Sequence, residues 1–145
     1  MKKMLQFALQ TLARLYLLRY RPLIVAVTGN VGKTSTKEAI ATVLGSAKRV
    51  RASAGNLNNE FGVPLTILGD WSEEYYGQGG TPVFWLKVLC FGLWRLLVPH
   101  RYPEALGLEY AAARPGAIRK LVRAFKPHIG VVTAVGETPV HVEFF

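Results

Sequence analysis

Hydrophobic residues fall into runs of two kinds along this chain, one continuous and one spaced at helical intervals. Residues 23–28 form a continuous run rich in β-branched side chains, which is typical of a strand buried in a parallel sheet. Residues 36–44 have their apolar positions at helical spacing and predict a helix soon after this strand. The core side of that helix is predicted to carry Ala39, Ile40, Val43 and Leu44.

The alternation of strand and helix continues along most of the chain. Further strands are predicted at 49–53, 105–108 and 129–135, and further helices at 63–68 and about 116–125. Strands that alternate with helices imply an α/β fold, in which helices flank a parallel sheet. The pattern therefore predicts a parallel α/β domain of this type.

Residues 1–21 precede this domain, which is predicted to fill 22–145, and they have the pattern of a basic amphipathic helix. Polar residues share one face of the helix and apolar residues share the other. The segment contains no acidic residue, and its basic residues are Lys2, Lys3, Arg14, Arg19 and Arg21. Two interpretations remain open: a helix that lies on a membrane surface, or one that packs on its own domain or on a partner.

Residues 83–98 are the most apolar stretch of the chain. As a helix they span roughly 24 Å, which is less than the thickness of about 30 Å of a bilayer core. Lys87 and Arg95 would each cost about 3 kcal/mol near the centre of a membrane. The stretch is therefore predicted to lie at an interface or against other protein. Glycines and prolines on both sides indicate an apolar insertion at about 70–103.

The composition of the chain is strongly basic. The chain has 145 residues, and its 18 Lys and Arg against 9 acids give a net charge of +9. Such a balance favours anionic partners, namely nucleotides, nucleic acid or an acidic membrane surface. Nucleic acid is the weakest of these, because the basic charge lies on an apolar helix without interleaved aromatic residues. A single cysteine, Cys90, fits a reducing compartment and hence a cytoplasmic location.

A glycine loop between the first strand and its helix is the sharpest chemical signal. Backbone N–H groups and the helix N-terminus meet there and favour a phosphate. Lys33 is placed to reach the outer phosphates of a nucleotide, and Thr34 to offer a hydroxyl to its Mg²⁺. The strict P-loop pattern is absent, because Val27 stands where its first glycine belongs. The predicted phosphate site consists of Gly29, Asn30, Val31, Gly32, Lys33, Thr34 and Ser35.

Four blocks of sequence resemble the Mur ligase family, and they come in the family's order. Residues 27–35 resemble its ATP loop, and residues 55–64 are similar to the signature of the branch that adds D-alanyl-D-alanine. Residues 108–116, with Glu109 in a Leu-Glu-Tyr triplet, resemble a third motif of that branch. Residues 140–145 resemble its histidine-containing loop. The combination is more specific than any one block.

The resemblance implies an ATP-dependent ligase of peptidoglycan precursor synthesis. In such enzymes ATP phosphorylates a substrate carboxylate, and an amine then attacks the acyl-phosphate. Carried over by position, the catalytic residues are Lys33, Glu109 and His141, and the Mg²⁺ ligands are Thr34, Glu109 and His141. Three asparagines, Asn56, Asn58 and Asn59, are implied to shape the cleft for a UDP-muramoyl-peptide-like substrate. As residues alone, these asparagines could equally be turn formers.

Departures from the family leave other interpretations open. Family members have a UDP-binding domain before the ATPase domain and a closing domain after it, whereas this chain resembles only part of the central domain. We therefore expect the 145-residue chain to be part of a longer ligase and inactive alone. The alternatives are a ligase of the folylpolyglutamate type and a non-catalytic nucleotide-binding module on a membrane surface. Peripheral contact with the inner face of the membrane would involve 1–21 and 83–98.

Overall fold

The computed structural model describes residues 2–111 and 114–135 and contains a parallel sheet flanked by helices. This confirms the predicted α/β class and the predicted N-terminal helix. The elements in chain order are α1 (Lys2–Tyr20), β1 (Leu23–Thr28), α2 (Lys33–Gly45), β2 (Val50–Ala52), α3 (Gly62–Leu68), α4 (Ser72–Gln78), α5 (Pro82–Leu97), β3 (Ala105–Glu109), α6 (Ala117–Ala124) and β4 (Ile129–Val132).

The four strands are parallel and lie in the order β2-β3-β1-β4. In the register of the sheet, Val25 of β1 lies between Gly107 of β3 and Ile129 of β4. The chain leaves β1 toward one side of the sheet for β2 and β3, and returns to the other side for β4. Ligands of open parallel sheets bind at such a reversal, beyond the carboxyl ends of the strands. The topology therefore places the glycine loop after β1 at the expected ligand position.

The main core lies between one face of the sheet and the helices α1, α3 and α5. Leu9, Ala13 and Tyr16 of α1 are completely buried, and Phe84 and Val88 of α5 are nearly so. Full burial of a large apolar side chain contributes about 1.5–3 kcal/mol. The N-terminal helix is therefore part of the folded core, as one of the two interpretations of 1–21 proposed.

An aromatic cluster fastens α1 to the segment that follows α5. The Tyr16 hydroxyl donates to the Gly92 carbonyl at 2.7 Å, and the rings of Tyr20 and Tyr102 stack at a centroid distance of 4.5 Å. Burial raises the pKa of Tyr16 to about 12, so its hydroxyl remains a donor at neutral pH. The Tyr102 hydroxyl reaches across to the Ile67 carbonyl of α3 at 2.7 Å.

The predicted core side of α2 is partly wrong. Val43 is 71% exposed and Ala39 is also exposed, whereas Lys37 is only 1% exposed. The helix begins at Lys33, three residues before the predicted start, with Gly32 as its cap in a left-handed conformation. The glycine loop thereby fixes the rotation of α2. The sheet residues that face α2 are small. Gly107, for example, has no side chain, so the aliphatic part of Lys37 packs against its backbone.

Two further differences concern the apolar parts of the chain. The last strand ends at Val132, before the predicted Val135, and its Ile129 and Val132 are at least half exposed at the edge of the described sheet. The predicted insertion contains two helices, α4 and α5. Within the described residues, no helix combines the length and hydropathy needed to cross a membrane.

Candidate functional site

A polar cleft of about 510 Å³ opens at the carboxyl edge of the sheet. Three segments meet there: the glycine loop with the start of α2, the asparagine-rich loop after β2, and the end of β3. The lining residues are Gly32, Lys33, Thr34, Ser35, Asn56, Asn58, Glu109 and Ala111. Six of the predicted site residues other than glycine therefore lie around one space, although they come from three distant parts of the sequence.

The glycine loop has the backbone geometry that a phosphate site needs. Gly32 has φ 81°, and a Cβ atom placed on it would meet no atom within 4 Å. The left-handed conformation favours glycine, and the open space leaves room for a ligand to approach the backbone. The first turns of α2 follow directly, so the positive end of the helix dipole points into the cleft.

Residues after β4 support the glycine loop through hydrogen bonds. The Asn30 amide donates to the Ala134 carbonyl at 2.7 Å, and the Thr133 hydroxyl donates to the Val31 carbonyl at 2.7 Å. Gly29 has φ 133°, and a side chain there would collide with Thr133 and Ala134. Gly29 is therefore required by contact with this segment, whereas Gly32 is favoured by its left-handed backbone conformation.

Lys33 folds over the loop that precedes it. Its Nζ donates to the Asn30 carbonyl at 3.0 Å, which uses one of the three donors of the ammonium group. The remaining donors are available for phosphate oxygens, because Lys33 also lines the cleft. A compact cation on a flexible stem suits the neutralisation of outer phosphates.

Glu109 ends β3 and is only 2% exposed. Its two carboxylate oxygens accept hydrogen bonds from the Thr34 hydroxyl at 3.0 Å and from the Asn58 amide at 3.1 Å. Within the described part of the chain, no basic side chain forms an ion pair with it. A buried carboxylate with only neutral partners is costly. A hydroxyl and a carboxylate oxygen side by side are also the hard ligands that Mg²⁺ prefers, so the donor set fits this ion.

The three asparagines have different surroundings. Asn58 touches Glu109, and Asn56 lines the cleft while its backbone amide donates to the Tyr76 hydroxyl at 2.7 Å. Asn59 instead accepts hydrogen bonds at its Oδ1 from the amides of Phe61 and Gly62, at 3.0 and 2.9 Å. For Asn59 these bonds favour the alternative that it is a turn former, since they stabilise the turn that begins α3.

Comparison with known proteins agrees with these geometric features. A family model described as the Mur ligase middle domain matches residues 27–75. The UDP-N-acetylmuramoyl-tripeptide–D-alanyl-D-alanine ligase of Bacillus subtilis is 33% identical over 131 residues, which are 90% of this chain and 22% of that protein. Residues 27–75 thus match the middle domain of the Mur ligases, and the similarity to these ligases extends over most of the chain. The ligase of the same name from Synechocystis is 56% identical over 45 residues, or 31% of this chain and 10% of that protein.

Among solved structures of Mur ligases, the MurF ligase from Thermotoga maritima in complex with ADP is similar to this chain. The two superpose with a TM-score of 0.68 and 32% sequence identity. The match covers 96% of this chain and 25% of the Thermotoga chain. The resemblance of the chain to this family is thereby confirmed, and the chain spans about a quarter or less of the relatives it matches.

His141, the third metal ligand predicted from the family, lies outside the described residues. Within residues 2–111 and 114–135, no group of three or more His, Cys, Asp and Glu side chains could hold a metal. In that part of the chain Glu109 is therefore not joined by two further side chains of those types. Magnesium sites at nucleotides in general use only one or two protein carboxylates, together with phosphate oxygens and water.

Lys37 is a site-supporting residue that the sequence did not reveal. Its Nζ donates to the Ser53 carbonyl, and its stem packs beside Gly107 of β3. The contact joins α2, which carries Lys33 and Thr34, to the segment that leads into the asparagine-rich loop. The spacing of four residues from Lys33 was the available signal, since it puts Lys37 one turn further along the same helix.

A second supporting contact lies outside the cleft. Arg114 donates to the Glu60 carboxylate at 3.0 Å and thereby links the segment after β3 to the asparagine-rich loop. Although partial burial acts in the opposite direction, the hydrogen bond from Arg114 holds the pKa of Glu60 below its usual value. The pair joins the second and third sequence blocks that resemble the Mur ligases.

Proposed function

We propose that this chain is the ATP-binding part of an ATP-dependent amide ligase of peptidoglycan precursor synthesis, of the type that adds D-alanyl-D-alanine to a UDP-muramoyl tripeptide. The observation that carries the proposal is the meeting of Lys33, Thr34 and Glu109 at one cleft beside the glycine loop. The similar MurF ligase from Thermotoga maritima was solved with ADP, which supports a nucleotide as the ligand.

Each residue has a defined task in the proposed reaction. The loop amides and Lys33 bind and orient the phosphates of ATP, and Thr34 and Glu109 hold Mg²⁺. The ion supplies positive charge that neutralises the phosphates. The terminal phosphoryl group passes from ATP to a substrate carboxylate, which leaves ADP. An amine then attacks the acyl carbon, the C–O bond to phosphate breaks, and an amide and inorganic phosphate are released. Loss of the amine proton completes the balance.

Two features favour the D-alanyl-D-alanine-adding type over a folylpolyglutamate-type ligase. Asn58 belongs to the sequence block specific to that branch, and its amide reaches the Glu109 carboxylate at 3.1 Å. Similar ligases from Bacillus subtilis, Synechocystis and Escherichia coli bear the name of that ligase. We place the reaction in the cytoplasm and expect the 145-residue chain alone to bind nucleotide without ligating.

The nucleotide site is tested by thermal unfolding of the 145-residue chain with and without ATP and Mg²⁺. A ligand that binds only the folded state contributes about 2.7 kcal/mol at a hundred times its dissociation constant. We expect ATP with Mg²⁺ to raise the melting temperature, and Lys33→Ala to abolish the rise. Lys48→Ala is the matched control, because Lys48 is exposed and lies beyond the far end of α2. An equal rise in Lys33→Ala would remove the loop from the site.

Ligation is tested in a chain that extends through the regions that the relatives possess. Formation of UDP-muramoyl-pentapeptide from the tripeptide and D-alanyl-D-alanine is the expected activity. Glu109→Ala should lower kcat by at least about a hundredfold, as removal of a group that stabilises transition-state charge does. Consumption of a folate or glutamate substrate instead would identify the alternative ligase type.

A further inference from the structure

α5 carries an apolar stripe on the side that faces away from the core. Its buried residues Phe84, Val88 and Gly92 repeat every four residues. The opposite side is exposed and has the same helical spacing, but it is also apolar, whereas the outer face of a core helix is usually polar. The exposed stripe consists of Val83, Leu86, Cys90, Leu93, Trp94 and Leu97. Three of these, Val83, Leu86 and Leu97, are between 63% and 77% exposed.

α1 has a matching stripe on its own outer side. Met4, Phe7 and Leu18 are between 70% and 78% exposed, and Leu15 is 43% exposed. These positions lie opposite Leu9, Leu12 and Tyr16, which bury the inner face of the same helix. The two stripes together form an exposed apolar area on neighbouring helices, which soluble monomers seldom display.

The two stripes belong to one surface, which we call the α1–α5 surface. The helices run in the same direction, because Leu5 lies near Leu86 at their N-terminal halves and Tyr16 binds the Gly92 carbonyl further along. A groove of about 580 Å³ separates their first turns, with Leu86 shared between groove and stripe. Lys2 is one of the residues that line this groove.

The charge of these two helices has one sign. α1 and α5 contain six basic residues and no acidic residue: Lys2, Lys3, Arg14, Arg19, Lys87 and Arg95. Lys87 is neutralised by Glu74 at 2.7 Å, and Arg14 donates to the Ala124 carbonyl at 3.1 Å. Lys2 and Lys3 are exposed and have no ion pair with any described residue.

We propose that the α1–α5 surface docks on an anionic lipid bilayer, with both helices lying in the plane of the interface. Apolar side chains enter the boundary between headgroups and acyl chains, and unpaired lysines attract the anionic headgroups. Trp94, which is 56% exposed on the stripe, has the ring type that prefers this depth. The positive charge favours an anionic lipid surface over a second copy of the chain, because a symmetric dimer would bring the basic helices of both copies together. This inference does not depend on the proposed ligase activity.

The test is co-flotation of the 145-residue chain with vesicles. One set is phosphatidylcholine alone, and the other contains about one-third phosphatidylglycerol. We expect at least tenfold stronger partitioning into the anionic vesicles, with the difference reduced by salt. Lys2→Gln/Lys3→Gln should weaken binding to anionic vesicles by about ten- to thirtyfold, since each basic residue near the surface is worth a factor of about five.

Leu97→Glu and Val43→Glu form a matched pair for the apolar contribution. Both side chains are 71% exposed, but Leu97 lies on the stripe and Val43 lies on α2, across the sheet. Leu97→Glu should reduce vesicle binding at least fivefold, and Val43→Glu should reduce it much less. The Val43 variant carries the same change of charge, so the comparison isolates position. Circular dichroism of both variants checks that they remain folded.

Three results would overturn the proposal. The first is equal partitioning into neutral and anionic vesicles, or none into either. The second is an equal loss of binding in Leu97→Glu and Val43→Glu. The third is a concentration-dependent dimer in sedimentation that Leu97→Glu dissociates, because the surface would then be an interface between copies.

Discussion

The cleft at the carboxyl edge of the sheet and the α1–α5 surface depart from ordinary burial in opposite ways. In the cleft, the carboxylate of Glu109 is almost completely buried, and neutral groups satisfy it. On the α1–α5 surface, large apolar side chains are exposed beside lysines that have no ionic partner among the described residues. Polar groups usually lie outside and apolar groups inside. Both departures are resolved by a proposed partner, a metal–nucleotide in one and a lipid surface in the other.

The two faces of α1 give the largest expected contrast. Leu9→Ala should lower the free energy of unfolding by about 2–5 kcal/mol, because the buried side chain leaves a cavity in the core. Leu18→Ala removes the same atoms from a residue that is 70% exposed, so the change should stay within about 0.5 kcal/mol. Urea unfolding measures both. Equal losses would mean that Leu18 is covered in solution.

A second contrast, next to the cleft, compares the buried Lys37 with an exposed lysine. Lys37→Met should keep most of the packing but leave the Ser53 carbonyl without its donor, at a cost of about 1–3 kcal/mol. The same change at the exposed Lys48 serves as the control and should be nearly neutral. Affinity for ATP with Mg²⁺ should fall in Lys37→Met as well, because α2 loses its connection to the asparagine-rich loop. An unchanged affinity would confine Lys37 to a structural role.

Glu109→Gln is expected to change stability and binding in different directions. An amide of the same shape removes a buried charge, so the free energy of unfolding should stay constant or rise by up to about 1 kcal/mol without Mg²⁺. The additional stabilisation that Mg²⁺ gives to the ATP-bound chain should be lost, because the carboxylate is the charged ligand. Thermal unfolding with ATP and either EDTA or Mg²⁺ separates the two effects. A marked loss of stability without any ligand would contradict this view of the cleft.

The ion pair of Arg114 and Glu60 gives the smallest expected effect. Its partial exposure limits the contribution to about 0.5 kcal/mol. The folded-state pKa of Glu60 lies below its usual 4.5, so this stabilisation is present above that pH and is lost as the pH falls through the lower value. Glu60→Gln should therefore matter at pH 7 and become neutral in urea unfolding at a pH below the folded-state pKa of Glu60. A constant difference across this range would assign the effect to something other than the ion pair.

The part of the fold that could be predicted depends on signals that are local in the sequence. The strand at 23–28 and the glycine loop were found because apolar periodicity and glycine spacing act over a few residues. Their contacts with Thr133 and Ala134 were not found, because they join segments about a hundred residues apart. The sequence also predicted the strand at 105–108, which in the structure extends by one residue to Glu109.

The errors have one physical cause, which is tertiary packing. The rotation of α2 about its axis is set by the glycine loop and by small residues of the opposing sheet. Lys37 therefore lies on the buried side of the helix, whereas Val43, which was predicted there, is exposed. Asn58 and Asn59 are neighbours of the same residue type, yet the chain direction turns one toward Glu109 and the other toward the amides that begin α3. The roles assigned to these asparagines and to His141 remain predictions.

The support of the glycine loop by Thr133 and Ala134 also has a consequence for biosynthesis. The loop leaves the ribosome before Thr133, which binds the Thr28 carbonyl and follows it by 105 residues. At a translation rate of about 5–20 residues per second, roughly 5–20 s therefore pass before the loop can form its hydrogen bonds with Thr133 and Ala134. Nascent chains that end before Thr133 should not retain ATP, whereas longer ones should. The nucleotide site is thus completed only when this distant segment has been made, long after its most recognisable sequence.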